Sequence, residues 1–139
     1  MAKVVHEWRT EQGGGLYATG IRGAITGYPA DALLLDDLLK GWQAAHSEAE
    51  RAFVWNVWRS QLRLRVQSQR SPIIVSGTRW HESDYFAMLD KQSEEEPDAD
   101  QFDTTRLPAI AEEDDPLGRA PGEALAPDRF SAEEVRARK

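Results

Sequence analysis

The stretch Ala32-Leu33-Leu34-Leu35-Asp36-Asp37 sets four apolar residues directly before two aspartates. A run that is apolar at every position is typical of a strand covered on both faces, as in a parallel α/β sheet. A second run of this kind, Ile73-Ile74-Val75, leads into Ser76-Gly77-Thr78-Arg79. Each run therefore predicts a short strand that ends in polar side chains, although the brevity of the first run leaves a short helix open.

Helical patterns separate and follow these two strands. Ser47-Glu48-Ala49-Glu50 is a capping box, which predicts a helix that begins there and continues to about Val66. One broad apolar stripe along this helix consists of Val54, Trp55, Trp58, Leu62 and Val66. A further helix is expected at about Glu82 to Lys91. The order strand, helix, strand, helix predicts an α/β fold with a parallel sheet and right-handed crossovers.

Two shorter strands are expected before the first apolar run. Leu16 to Ile21 and Ala24 to Thr26 have strand-like composition. The Arg22-Gly23 pair between them suits a hairpin turn, because glycine tolerates positive φ. We therefore expect an antiparallel hairpin over residues 16–26.

From about residue 93 the composition changes. Residues 90–115 carry eleven acidic against two basic side chains, and residues 116–127 are rich in proline and glycine, which favours loop or linker structure. Ser131-Ala132-Glu133-Glu134 is a second capping box, which predicts a last helix that starts near Ser131 and is cut off at Lys139. The expected organisation is a domain over residues 1–92 and an irregular acidic linker over residues 93–139.

The overall composition excludes several classes of protein. The chain has 139 residues, a net charge of −7 and no cysteine, so disulfide and thiolate chemistry are excluded. No apolar run approaches the roughly 18 residues that a membrane span needs, and Met1 to Arg9 lacks the apolar segment of a secretory signal. These features indicate a cytoplasmic protein. An acidic chain is a poor non-specific DNA binder, so any DNA contact is expected to be local or made within a larger assembly.

The polar ends of the two strands are the strongest candidates for chemistry. Ligands of open α/β sheets bind at the carboxyl ends of the strands. In nucleotide hydrolases the first acid after such a strand holds Mg²⁺ and the second orients the attacking water, which would give these roles to Asp36 and Asp37. Hydroxyls such as those of Ser76 and Thr78 can sense a γ-phosphate, and Arg79 can stabilise phosphoryl charge. The alternative is that both segments are ordinary turns and helix caps.

Several blocks of the chain are similar, in order and spacing, to phage terminase large subunits. The blocks are Gly13–Gly20, Ile25–Gly27, Asp31–Asp37, Ser76–Asp84, Leu107–Ala111, Asp115–Arg119 and Pro127–Ser131. The resemblance runs from about Trp8 to Phe130, and the blocks Thr78–His81 and Asp115–Phe130 are its more specific parts. It implies part of a P-loop ATPase core of the ASCE type, followed by the segment that links such a core to a nuclease domain.

The resemblance also implies roles, a cofactor and partners. Leu33–Asp36 corresponds to the Walker B strand, with Asp36 as the Mg²⁺ ligand. Asp37 corresponds to the water-orienting acid and is the second candidate metal residue. Ser76–Arg79 corresponds to the motif that couples hydrolysis to DNA movement. Mg²⁺ and ATP are the implied cofactor and nucleotide. The implied partners are double-stranded DNA, the capsid portal, the small terminase subunit and further large-subunit copies, in the host cytoplasm where phage capsids assemble.

The sequence departs from this family at four places. No G-x-x-x-x-G-K-[S/T] loop exists in the chain, so no cofactor-binding Walker A residue is assigned. The acids of the family's nuclease are expected beyond Lys139. Leu38-Leu39 stands where the family has proline, and Ala126 stands where it has tryptophan. We therefore expect a truncated viral genome-packaging ATPase that is inactive alone, and whether the chain is itself an enzyme stays open.

Other interpretations compete with this one. The chain could be a non-enzymatic prophage remnant or an interaction module, or a helicase-like ATPase. A metal-dependent nuclease would use the carboxylates Asp31, Asp36, Asp37, Glu82 and Asp84. His81 with two of these acids could form a metal cluster, but no paired histidine spacing supports it.

Two further expectations concern surfaces of the chain. Arg51, Arg59 and Arg63 could form a basic stripe toward DNA, and a solvated helix face is the simpler interpretation. Without the upstream strands that the resemblance implies, the sheet formed by residues 32–36 and 73–77 is expected to have exposed edges and uncovered faces.

Overall fold

The structure is a computed structural model that describes residues 6–137. Contacts divide the chain into two units, Met1–Ala99 and Asp100–Lys139. The first unit contains strands β1 (Glu7–Arg9), β2 (Gly15–Tyr17), β3 (Leu33–Asp36) and β4 (Ile73–Ser76), and helices α1 (Gly41–His46), α2 (Glu48–Val57) and α3 (Tyr85–Glu95). The second contains helix α4 (Ala132–Ala137). None of the helices in residues 6–137 has the length and apolar character that crossing a bilayer requires.

Strands β3 and β4 form the parallel pair that the two apolar runs predict. Leu33 pairs with Ile73 at one end and Asp36 with Ser76 at the other, without a bulge between them. Helices α1 and α2 lie between these strands in the sequence. The prediction of a mixed α/β fold with a parallel sheet and helices is therefore confirmed at this level.

One face of the β3–β4 pair is open. Successive side chains of a strand point to opposite faces, and Leu35 is 4% exposed whereas its neighbour Leu34 is 66% exposed. Ile74, the register partner of Leu34, is 56% exposed. The expectation that these strands are covered on both faces is therefore wrong, because Leu34 and Ile74 are exposed on one face while Leu35 is buried on the other. The expectation of an uncovered face is confirmed.

The N-terminal hairpin is formed by residues 7–17 and not, as the sequence predicts, by residues 16–26. β1 pairs antiparallel with β2, and Gly13 turns the chain between them at φ 90°. Residues 20–23 do form a turn, closed by the Gly23 N–H donating to the Gly20 carbonyl at 2.7 Å. No strand follows at residues 24–26. The hydroxyl of Tyr17 donates to the carbonyl of Ala24 at 2.9 Å, which engages this segment without a strand ladder.

Helix α2 begins where its capping box predicts. The Glu50 N–H donates to the Ser47 hydroxyl at 3.3 Å. The Glu50 carboxylate does not complete the reciprocal half of the box, because it accepts from Arg22 at 2.7 Å. Beyond Val57 the helix widens into a π-helical turn and then tightens into a 3₁₀ turn that ends at Arg65. The regular α-helix expected to about Val66 is therefore correct in extent but not in its last two turns.

The apolar stripe of α2 forms the centre of the first unit. Val54 and Trp58 are each 2% exposed and Leu62 is 5% exposed. Tyr85 of α3 packs edge-on against Trp58, with ring centroids 5.9 Å apart. The predicted stripe is therefore the main core of this unit, and it places the start of α3 beside the end of α2.

Helix α3 continues past the compositional boundary at residue 93. It was expected from Glu82 to Lys91 and instead covers Tyr85–Glu95. The hydroxyl of Ser93 donates to the Leu89 carbonyl at 2.8 Å, and Lys91 lies 3.7 Å from Glu95 in an i,i+4 ion pair. Such local pairs support the acidic end of the helix, where composition alone favours a loop.

Polar contacts link the segments of the second unit. Arg119 binds Asp115 at 2.6 Å, and its guanidinium also donates to the Pro108 carbonyl at 2.9 Å. Ile110 and Ala124 form a single antiparallel bridge. The predicted capping box at the start of α4 is confirmed in both directions, since the Glu134 N–H donates to the Ser131 hydroxyl and the Glu134 carboxylate accepts from the Ser131 N–H. The expected cut-off at Lys139 lies outside the described residues.

Candidate functional site

The parallel register brings the ends of the two apolar runs together. Asp36 is the last residue of β3, and its register partner is Ser76, the last residue of β4. Both residues are exposed. Because side chains directly paired across neighbouring strands point to the same face, the carboxylate and the hydroxyl lie on the open side of the sheet, with Leu34 and Ile74. Two of the predicted site residues are therefore neighbours.

Asp37 takes a backbone conformation that differs from that of Asp36. Its φ is 43°, in the left-handed region, and its N–H donates to the Ser76 carbonyl at 3.1 Å. Aspartate tolerates this region better than most residues, because its short polar side chain can bond locally. The left-handed residue ends the strand and turns the chain toward Leu39, which is 8% exposed. The backbone thus holds Asp37 against the end of β4.

A small recess lies beside Asp37. Its lining includes Asp37, Ser76, Gly77, Thr78, Asp84 and Phe86. A Cβ atom on Gly77 would lie 3.2 Å from Oδ1 of Asp37 and 3.4 Å from the ring of Phe86. Glycine therefore keeps room between this carboxylate and the aromatic floor of the recess. Thr78 is exposed at its rim.

Arg79 is engaged at the start of helix α3. Its Nε lies 3.0 Å from the carboxylate of Asp84, a side chain that is 3% exposed. The same carboxylate accepts from the Trp80 N–H at 3.2 Å and, as the N-cap of α3, from the Ala87 N–H at 3.3 Å. Arg79 also faces the ring of Phe86, with 6.0 Å from its guanidinium carbon to the ring centroid. The role predicted for Arg79 at a phosphate stays a prediction.

Asp84 is the residue of this region whose structural importance the sequence analysis missed. The sequence suggests only a possible metal ligand at this position, whereas Asp84 is a buried acceptor for three donors. The signal was present in the sequence, because an aspartate directly before the apolar residues Tyr85 and Phe86 is an N-cap pattern. What the pattern does not indicate is that Arg79 shares the same carboxylate.

The donor set at the strand ends suits a hard divalent cation. Carboxylate and hydroxyl oxygens are the ligands that Mg²⁺ prefers, and it commonly binds through only one or two carboxylates plus water and phosphate. Within residues 6–137, no group of three or more histidine, aspartate and glutamate side chains is arranged to hold a metal ion. The five carboxylates of the nuclease interpretation are thus not gathered into one site, while a site of the Asp36 type needs no such cluster.

Of the remaining residues singled out in the sequence, His81 and Arg51 have local partners. Nδ1 of His81 accepts from the Ser83 N–H at 3.0 Å, and its ring packs edge-on against that of His46 at 5.0 Å. Arg51 donates to the Ala45 carbonyl at 2.6 Å, so it supports the end of α1 rather than extending into solvent. Arg59 is exposed, as expected for a solvated helix face.

Comparisons of the chain with protein-family models, with curated proteins and with solved structures found no match.

Proposed function

We propose that this chain is the Walker B-to-linker portion of a terminase-type motor, which uses ATP to move double-stranded DNA into a procapsid. The observation that carries the proposal is the parallel pairing of β3 with β4, in which Asp36 and Ser76 end side by side. Parallel strands that end in an acid pair and in a hydroxyl-glycine-hydroxyl segment are the arrangement such an ATPase needs. The resemblance of the sequence blocks supplies the DNA-packaging part of the proposal.

In this function each residue at the strand ends has one task. Asp36 would hold Mg²⁺, which when bound offsets the negative charge of the nucleotide's phosphates. Asp37 would orient the attacking water, and its left-handed backbone keeps its carboxylate at the recess rather than along the sheet. Ser76 and Thr78 would contact phosphoryl oxygens by hydrogen bonds. Arg79 would stabilise charge that develops during transfer. A phosphate-binding loop would have to come from another polypeptide segment, since the sequence contains none.

A paramagnetic ion tests the metal side of the proposal. Mn²⁺ replaces Mg²⁺ at oxygen sites and broadens the NMR signals of nearby amides even when it binds weakly. We expect selective broadening at Asp36, Asp37 and residues 76–78, and its loss in Asp36→Asn. Asp31→Asn is the matched control, because Asp31 is an exposed carboxylate that precedes β3. Broadening confined to the acidic residues 94–103 would contradict the proposal.

A non-enzymatic interaction module is the second candidate. The observation that favours it is the open apolar face at Leu34 and Ile74, since exposed apolar patches mark interaction sites. The DNA that flanks the coding region separates the two candidates. An upstream frame that encodes a G-x-x-x-x-G-K-[S/T] loop supports the motor, whereas its absence together with no Mn²⁺ effect at Asp36 supports the interaction module.

A further inference from the structure

The carboxylate of Asp84 is placed unusually for a residue so close to an exposed recess. The residue is 2% exposed, and its side chain lines the recess together with Asp37 and Thr78. A buried carboxylate is stable only when it is paired and hydrogen-bonded. Asp84 meets this requirement through two backbone N–H groups and the Nε of Arg79.

Arg79 is bound by one edge of its guanidinium group. Nε is the atom engaged by Asp84, and Arg79 remains 46% exposed. Across residues 6–137, neither Nη group of Arg79 has a hydrogen-bond partner on the protein. A guanidinium group held in this way presents its two Nη groups as a fork, the geometry that binds two oxygens of one anion.

We propose that Asp84 is a positioning residue, which holds Arg79 by Nε and leaves the two Nη groups free to bind an anionic oxygen group. Trp80 is tied to the same carboxylate through its N–H, so residues 79 and 80 are fixed together at the start of α3. The guanidinium carbon of Arg79 lies 6.0 Å from the centroid of the Phe86 ring. That the anion is a phosphoryl group rests on the proposed function; the positioning of Arg79 does not.

The substitution Asp84→Asn separates the two roles of this side chain. Asparagine caps helices about as well as aspartate, so α3 is expected to keep its start. The charge-assisted bond to Nε is lost, and such bonds contribute enough to slow exchange of the donor hydrogen by about tenfold or more. In ¹⁵N NMR spectra we therefore expect the Arg79 Nε–H to exchange about tenfold faster in Asp84→Asn, with the Ala87 amide still protected. Asp90→Asn, at an exposed position on the same helix, is the matched control and leaves the Arg79 signal unchanged.

A titration of the unsubstituted chain with inorganic phosphate gives a second measurement that does not depend on a variant folding. We expect the Arg79 Nη signals to shift while the Nε–H stays protected. Arg59, which is exposed and outside the recess, reports non-specific screening. Equal shifts at Arg59 and Arg79, or loss of Nε–H protection as phosphate replaces Asp84, would overturn the proposal, as would unchanged Nε–H exchange in Asp84→Asn. Because Mn²⁺ broadening at Asp36 is independent of Arg79, failure of this proposal and failure of the proposed function are distinguishable.

Discussion

Two adjacent aspartates end strand β3 in different backbone states. Asp36 belongs to the extended strand, whereas Asp37 has a φ of 43°. L-residues in the left-handed region are strained by contact between Cβ and the following carbonyl. Strained residues cluster at functional sites, where the surrounding contacts hold them in place. At Asp37 the hydrogen bond from its N–H to Ser76 is one such contact.

The backbone difference predicts opposite effects of the same two substitutions. The free energy of unfolding should be about 1 kcal/mol higher for Asp37→Gly than for Asp37→Ala, because alanine keeps the Cβ strain and glycine removes it. At position 36 the order should be opposite: Asp36→Ala should be more stable than Asp36→Gly by about 0.5–1 kcal/mol, because glycine weakens a strand. Both variants at a given position lack the same carboxylate, so the effect of losing it is equal in the two and does not influence their difference in stability. Urea denaturation measures the free energies of unfolding, and the same order at both positions would count against the assigned backbone.

At the scale of elements, local contacts decide how stable each segment is. The turn from Asp115 to Arg119 is a segment that such contacts stabilise. The Asp115 side chain is fully buried, and it accepts from Arg119 and from the Leu117 N–H at 3.0 Å. The hydrogen bond from the Arg119 side chain, above all, holds the pKa of Asp115 below its ordinary value, against the opposing effect of burial.

This lowered pKa predicts an acid-sensitive second unit. The folded state favours the charged carboxylate, so the ion pair contributes stability above the ordinary aspartate pKa of about 3.9. That contribution is lost as the pH falls through the lower value of the folded state. At neutral pH, Asp115→Asn should therefore lower the thermal midpoint of the second unit. The difference in thermal midpoint between neutral and acidic pH should be smaller in this variant than in the unsubstituted chain.

Asp114→Asn is the control for this prediction. Asp114 is exposed and has a φ of 59°, which asparagine also tolerates. Amide exchange at Ala111 and Leu125, whose N–H groups bond across the unit, reports its stability. Equal behaviour of the two variants would refute a structural role of the Asp115–Arg119 pair.

At the scale of the whole molecule, the apolar core is concentrated in the first unit. Of the twelve buried apolar residues in the described chain, Ala111 and Ala124 are the two that belong to the second unit. The metal candidate Asp36 and the catalytic candidates Asp37, Ser76, Thr78 and Arg79 all lie at or just after the carboxyl ends of β3 and β4 in the first unit. The residues proposed for the metal side of a nucleotide site therefore all belong to the first unit, while no phosphate-binding motif occurs in the sequence.

The purified chain is expected to hydrolyse no ATP above the blank. Nothing in the sequence supplies the phosphate-binding loop that positions the β- and γ-phosphates, and positioning provides most of phosphoryl-transfer catalysis. Release of phosphate, measured with and without double-stranded DNA, should be the same for the unsubstituted chain and for Asp36→Ala. Robust turnover that is lost in Asp36→Ala would show a complete site and contradict this expectation.

The sequence by itself determined the local elements and their polar ends. The apolar runs marked β3 and β4, the serines marked the starts of α2 and α4, and the stripe through Trp58 marked the core. These features follow from the conformational preferences and contacts of residues close together in the chain, which one sequence displays directly.

Only the tertiary structure decided which surfaces meet and which stay open. It paired β1 with β2 instead of residues 16–21 with 24–26, opened the face at Leu34, and joined Asp36 to Ser76. It also placed Arg79 within hydrogen-bonding distance of the Asp84 carboxylate, which caps α3. Pairing and burial depend on contacts between segments far apart in sequence, and a shared acceptor such as Asp84 depends on geometry in three dimensions. Neither the pairing of segments nor the sharing of an acceptor can be read from composition and residue spacing alone.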